Sequence, residues 1–355
     1  MIQRILSAVW KPIAALIVAV LIVNGICMVY YHVPYWIDLT CNATQSIWRP
    51  GAYVLQVKEG VGYQKVDDNG YMNENLSLSD DGYVLVLGSS HTQGKEVKRG
   101  ERYTDLLNEW LGGSEELMVY NMGTDGHVYD DLVCGFTAAI AQFPNASTVV
   151  LEIRTTECTI EELTGALEQR EYDPEQTGTA ITESLSFMDH LKAFVKENVP
   201  LITAIKKQLL SVEFTWDIPF GLSRSADSAE MQADGSAADD TDTSDSYYDA
   251  VLATANLMRE AFDGTIIVMY HGTGELQSDG SFAWNEEDTY DDFRQALEDT
   301  GIIFLDLQDR FEEMYDTQHV LPNGFNNTSP GTGHMNRYGH LACAEALYEV
   351  LTEEN

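Results

Sequence analysis

The sequence predicts an α/β fold: a three-layer α/β/α sandwich around a parallel five-stranded sheet, preceded by one N-terminal transmembrane helix. Three observations predict it. Short apolar runs alternate with helical patterns from about residue 81 to the end of the chain. The runs are continuously apolar, as strands buried on both faces are, and do not switch between apolar and polar positions. Ile13 to Tyr31 is, in addition, nearly unbroken apolar sequence.

That apolar stretch comes first. At about 1.5 Å per residue it spans roughly 28 Å, enough to cross a hydrocarbon core. Asn24 is its one strongly polar interruption; Arg4 and Lys11 stand before it, and no Lys or Arg follows until Arg49. The positive-inside bias assigns residues 1–11 to the cytoplasm, 12–31 to a signal anchor in the cell membrane, and the rest of this single-pass chain to the outside. Tyr30, Tyr31, Tyr35 and Trp36 supply an outer aromatic belt. A cleaved signal peptide is the competing reading. Against it, no Ala-x-Ala site follows the run, and Ile26 before Cys27 does not suit a lipoprotein box.

Residues 32–80 read as a juxtamembrane β-rich segment, with a strand at Ala52–Val57 and a turn at Asp67-Asp68-Asn69-Gly70. A spacer and a lip over the site both fit it. The main domain occupies 81–355. Its strands are Tyr83–Leu87, Leu117–Asn121, Thr148–Ile153, Thr265–Tyr270 and Ile302–Leu305. Helical patterns fill Tyr103–Trp110, Tyr129–Gln142, Tyr248–Ala261, Tyr290–Asp299 and Leu341–Leu351. Such alternation makes the sheet parallel and covers both of its faces. Two insertions interrupt it. Residues 161–210 read as helical, with Lys206-Lys207 beside Leu209-Leu210, and act as a lid, a substrate-facing arm or a structural excursion. Residues 225–246 hold seven acidic and no basic side chains, so they bury no core and read as a disordered loop.

Composition narrows the partners. The net charge of −37, from 57 acidic against 20 basic residues, repels polyanions, so nucleic acid is not a partner. The five cysteines, Cys27, Cys41, Cys134, Cys158 and Cys343, contain no CxxC pair. Free or buried thiols, with room for one bridge among the outer four, fit better than a disulfide framework or a zinc site. Neither metal nor cofactor is expected.

Two motifs carry the chemistry. Val84-Leu85-Val86-Leu87-Gly88-Ser89-Ser90 runs a buried strand into a polar turn, and ligands of open α/β sheets bind beyond such strand ends. Ser90, with Ser89 as the alternative, stands where a nucleophile would be placed. Near the other end, Gly331-Thr332-Gly333-His334-Met335-Asn336 puts a histidine in a glycine-rich loop just before an apolar-periodic helix. Acyl transfer needs a nucleophile, a base within reach of it and donors aimed at the developing oxyanion.

Together these segments resemble the SGNH (GDSL-type) hydrolase family, over roughly Gly82 to Leu351, and in particular its membrane-tethered members acting in D-alanyl transfer and polysaccharide O-acetyl chemistry. Gly88-Ser89-Ser90 stands at the family's Gly-Asp-Ser turn, and His334 at its histidine. The resemblance implies Ser90 as nucleophile, His334 as base, and an oxyanion hole from the Ser90 amide, Gly126 and Thr156. Gly126 ends Asn121-Met122-Gly123-Thr124-Asp125-Gly126, similar to the family's Asn-x-Gly-x-x-Gly loop, and Thr156 occupies its asparagine position. The family's acid three positions before the histidine is absent, because Gly331 stands there; either a backbone carbonyl or a distant carboxylate holds His334, giving a Ser–His dyad, or activity is low. His91 is expected to point elsewhere, and His340 to pack or cap.

The expected function is a membrane-anchored extracytoplasmic serine esterase, deacetylase or O-acyltransferase acting on an acylated cell-surface glycan or a small ester. The alternative is an inactive glycan-binding or scaffold relative that partners a membrane acyltransferase. A metalloenzyme built on His271 and His334 is the remaining rival.

Overall fold

The computed structural model describes residues 2–30, 35–38, 44–48, 50–51, 53–56, 59–74, 76–114, 117–168, 199–202, 204–205, 243–277 and 279–353. Helix α1 covers Ile2–Tyr30, and within it Trp10–Cys27 is long and apolar enough to cross a membrane. Asn24 finds a partner: its side-chain oxygen accepts from the Leu201 amide at 3.2 Å.

Two antiparallel strand pairs follow, β1 (Tyr35–Asp38) with β2 (Thr44–Ile47), and β3 (Tyr53–Gln56) with β4 (Gly62–Lys65). The second pair realises the β element expected before the main domain. Val54 and Val66 pack with Trp48 and Met72 in a small core of their own, and Tyr53 stacks on Tyr63 across the pair.

The main body runs β5 (Val84–Gly88), α2 (Ser90–Gln93), α3 (Tyr103–Ser114), β6 (Val119–Gly123), α4 (Tyr129–Gln142), β7 (Thr148–Ile153) and α5 (Ile160–Glu168). It continues through α6 (Thr243–Ala261), β8 (Thr265–Tyr270), the hairpin β9 (Gly274–Leu276) and β10 (Phe282–Trp284), α7 (Tyr290–Glu298), β11 (Ile303–Asp306), α8 (Gln308–Gln318) and α9 (Arg337–Glu353). Five strands form one parallel sheet in the order β11-β8-β7-β5-β6.

The continuous apolar pattern is explained by burial on both sides. Leu85 and Leu87 point into a core with residues of α4, α5, α6 and α7, while Val84 and Val86 join the opposite core with residues of α3, α8 and α9. The result is three layers. Because β6 lies on one side of β5 and β7 on the other, the chain reverses its direction of winding at β5. A crevice opens at the carboxyl end of such a strand, and Ser90 follows it.

Helix α6 begins at Thr243, so the last residues of the expected acidic loop open a helix instead. Thr, Ser and Asp favour helix starts, where their side chains meet free amides. Lys206-Lys207, Leu209-Leu210 and the rest of that loop lie outside the described residues. Helix α8 and the β9–β10 hairpin are additions to the expected elements. Cys27, Cys158 and Cys343 are free and buried, whereas Cys134 is disulfide-bonded.

Candidate active site

Strand β5 ends at Gly88, and Ser89 caps the short helix α2 by accepting from the His91 amide at 3.1 Å. Ser90 is thereby lifted to the rim of the sheet, half-buried. His334 arrives from the loop before α9, and its Nε2 lies 2.9 Å from Ser90 Oγ across 244 positions of sequence.

The group that holds this imidazole is Glu59, in the turn between β3 and β4. Its Oε2 meets His334 Nδ1 at 2.6 Å, and its Oε1 accepts from the His334 backbone amide at 2.6 Å. A distant carboxylate therefore occupies the position left open by Gly331. With Nδ1–H donating to Glu59, Nε2 carries the lone pair that faces the serine hydroxyl. Burial pulls the His334 pKa down, but the Glu59 hydrogen bond and the charges of Glu96 and Glu59 outweigh it, and the pKa stands above the ordinary imidazole value.

Two glycines let the hairpin come this close. Gly333 has φ +81°, and a Cβ there would collide with the Glu59 carboxylate. Gly60 has φ +64°, and a Cβ there would collide with the Glu96 carbonyl. The hairpin is further tied to the loop after α2 by Gln64, whose side chain donates to the Val97 carbonyl at 2.8 Å. The Gly60 amide donates to Asn327 at 3.0 Å, linking the hairpin to the loop that carries His334.

Beneath the turn lies a second carboxylate, Glu152, on β7 and fully buried. It accepts from the Ser89 amide at 2.8 Å, the Ser89 hydroxyl at 2.9 Å and the Thr92 hydroxyl at 2.8 Å, and it pairs with His271 Nε2 at 2.8 Å. Burial pushes this carboxyl up, yet the His271 hydrogen bond and charge, with His91 and Thr92, hold it well below the usual carboxylate range. An anion is thus clamped under the serine turn.

The remaining candidates separate. Gly126 sits exposed with φ +82° in the loop after β6, on the same edge of the sheet as Ser90. Asn121 braces that strand end: its side chain donates to the Thr92 carbonyl at 2.6 Å and accepts from the Gly123 amide at 2.8 Å. Thr156 departs from the expectation of an oxyanion donor. It is fully buried, and its amide and hydroxyl both bond Glu287 at 2.7 Å. The hydroxyl also meets Thr289 at 2.8 Å, so both donors are committed to the structure around α7.

His91 is buried and accepts from the Met335 amide at 3.2 Å; burial, then the charge of His271, hold it well below the ordinary value. His340 packs as expected: its ring stacks on Tyr103, and burial followed by the Arg102 charge lowers its pKa to about 3. His271 is committed to Glu152, and among the described residues no three His, Cys, Asp or Glu side chains are grouped to hold an ion.

Sequence reasoning missed Glu59, Glu96 and Glu152. Only Glu152 left a signal, a charge inside the otherwise apolar strand Thr148–Ile153.

No family model matches the sequence, and no curated protein does. The chain is similar in structure to the acetyl xylan esterase AlAXEase, at 13% identity and a TM-score of 0.40, over 76% of this chain and 98% of that one. It is similar to the psychrotrophic esterase EstA from Pseudoalteromonas sp., at 10% identity and a TM-score of 0.39, over 77% and 98% of the two chains. A member of the lipolytic G-D-S-L family from Veillonella parvula aligns at 13% identity and a TM-score of 0.35, over 76% and 98%.

Proposed function

We propose that this chain is a serine hydrolase of the SGNH type, cleaving acyl esters through an acyl-enzyme on Ser90. The observation that carries the reading is the unbroken line from Ser90 Oγ through the His334 imidazole to the Glu59 carboxylate. A nucleophile, its base and a group orienting that base are the three parts such chemistry requires.

In the first half-reaction, Ser90 Oγ attacks the acyl carbon while its proton passes to His334 Nε2. The ester C–O bond then breaks, and the imidazolium returns the proton to the leaving alcohol. In the second, water or an acceptor hydroxyl gives its proton to Nε2 and attacks the acyl carbon, and the acyl–Oγ bond breaks as Nε2 passes that proton to Ser90 Oγ. Glu59 keeps its proton-free carboxylate on Nδ1 throughout, stabilising the imidazolium at each stage. The Ser90 and Gly126 amides are the proposed oxyanion donors.

We place the catalytic body outside the cell membrane, on α1 as an N-terminal anchor. The length and apolarity of Trp10–Cys27, the Arg4 and Lys11 flank, and the Cys134 disulfide support this placement. Acylated cell-surface glycan is the proposed substrate, with hydrolysis or transfer set by which hydroxyl resolves the acyl-enzyme. The inactive-scaffold alternative rests on the missing acid and the missing oxyanion asparagine; Glu59 answers the first, whereas Thr156, committed to Glu287, does not answer the second.

Labelling of the full chain with a fluorophosphonate probe tests the proposal. Covalent labelling that vanishes in Ser90→Ala and weakens strongly in His334→Ala is the expected result. Undiminished labelling of Ser90→Ala, or none in the parent chain, overturns it.

A further inference from the structure

Glu96 lies on the loop after α2 and is 1% exposed. Gln56 donates to its Oε1 at 3.3 Å, and that same oxygen stands 4.0 Å from His334 Nε2. Its other oxygen, Oε2, is buried without a hydrogen-bond partner among the described residues. A buried carboxylate supported by one long neutral hydrogen bond is poorly compensated. Burial raises the Glu96 carboxyl above its ordinary value, and the charges of His334 and of the neighbouring Lys95, itself paired with Asp125, offset this only in part. The cation that forms against Glu96 during the reaction, beside the standing charge of Lys95, is the imidazolium of His334.

We propose that Glu96 is a second carboxylate partner of the base, facing the nitrogen that takes the serine proton while Glu59 holds the opposite one. The inference rests on His334 acting as the base. At 4.0 Å, Glu96 is too far to accept the Nε2 proton itself, so it acts through charge, as an electrostatic positioning residue. The charged groups facing His334 are Glu59, Glu96 and Lys95, with the buried His91 ring 5.4 Å away. Both carboxylates favour the imidazolium and Lys95 opposes it. An ionised Glu96 therefore makes His334 a stronger base that needs a higher pH to be free of its proton. A stronger base draws the Ser90 proton more effectively in the attack.

This assigns Glu96 two effects that a packing role does not produce together. The test is the rate of fluorophosphonate labelling of the full chain against pH, for the parent and for Glu96→Gln, which keeps the shape and removes the charge. The acid limb is expected to move down by on the order of one pH unit, the usual effect of a carboxylate this close. The plateau above it is expected to fall severalfold. A limb that stays in place or moves up overturns the proposal, whatever happens to the plateau. If Glu96→Gln does not fold, Glu96→Asp, which withdraws the charge by one methylene, is expected to shift the limb down by a smaller amount; no shift again overturns it. Ser90→Ala separates the two readings: labelling that survives that change refutes His334 as the base of Ser90, whereas an unmoved Glu96→Gln limb with silent Ser90→Ala removes only Glu96.

Discussion

Glu59 grips His334 twice, its Oε2 on ring Nδ1 and its Oε1 on the backbone amide, each at 2.6 Å and across 275 positions of sequence. One carboxylate thus sets both the tautomer of the ring and the place of the main chain that carries it. The loop cannot slide without breaking the ring contact.

Glu59→Gln keeps the size of the side chain but offers an amide where Nδ1–H needs an acceptor. Turnover of a p-nitrophenyl ester is expected to fall by about 10³–10⁴-fold with little change in KM, as in other triads that lose the orienting acid. A loss below tenfold in steady-state assays would mean that Glu59 does not orient the base.

Gly333→Ala tests the same contact from the other side, since a Cβ there meets the Glu59 carboxylate at φ +81°. Because both changes damage one contact, their effects are expected to be far from additive. The double variant should turn over no more slowly than Glu59→Gln alone, and multiplied losses would show the two acting separately.

The pH dependence follows from His334, which must be neutral to act as base. Burial lowers its pKa, yet the Glu59 hydrogen bond and the two carboxylate charges leave it raised. Activity is therefore lost as pH falls through a midpoint above the ordinary imidazole value of about 6.5. Stability runs the other way. The folded state binds this proton more tightly, so the contribution of His334 is full below the unfolded pKa and is lost as pH rises through the folded one. A kcat/KM profile with its acid limb at or below about 6.5 would contradict the first statement.

Glu152 has the opposite sign. Its folded carboxyl is depressed, so the stability it supplies is present above the unfolded carboxylate pKa and is lost only as pH falls through the lower folded value. Glu152→Ala strips an acceptor from Ser89, Thr92 and His271 at once and leaves their polar groups buried. The expected cost is about 3–5 kcal/mol by urea unfolding, in the range for breaking a buried ion pair. A cost under about 1 kcal/mol would show that water satisfies the cavity instead.

The sheet was readable because its strands carry a two-sided signal: Val84 to Leu87 have nowhere to go but the two opposed cores. Ser90 and His334 were readable because glycine-rich loops at strand and helix ends leave a local mark. Glu59 left none. It is one of 57 acidic residues, and its role comes from a hairpin docking that no nearby residue encodes. Thr156 was misplaced for a related reason, since position along the strand says nothing about Glu287 waiting 131 positions away. Helix α8 escaped notice because its apolar face is thin, with Phe311 its one fully buried residue.

The β3–β4 pair stands outside the parallel sheet, on the stretch of chain between α1 and the main body. With the Cys134 disulfide reduced, a protease nick between β2 and β3 would shed a competent enzyme from its anchor. The same nick a few turns later, after β4, would leave the acid's attachment to the released fragment to non-covalent docking alone. Where the chain is clipped would then decide whether the liberated fragment keeps its acid or drifts free with an unaided serine.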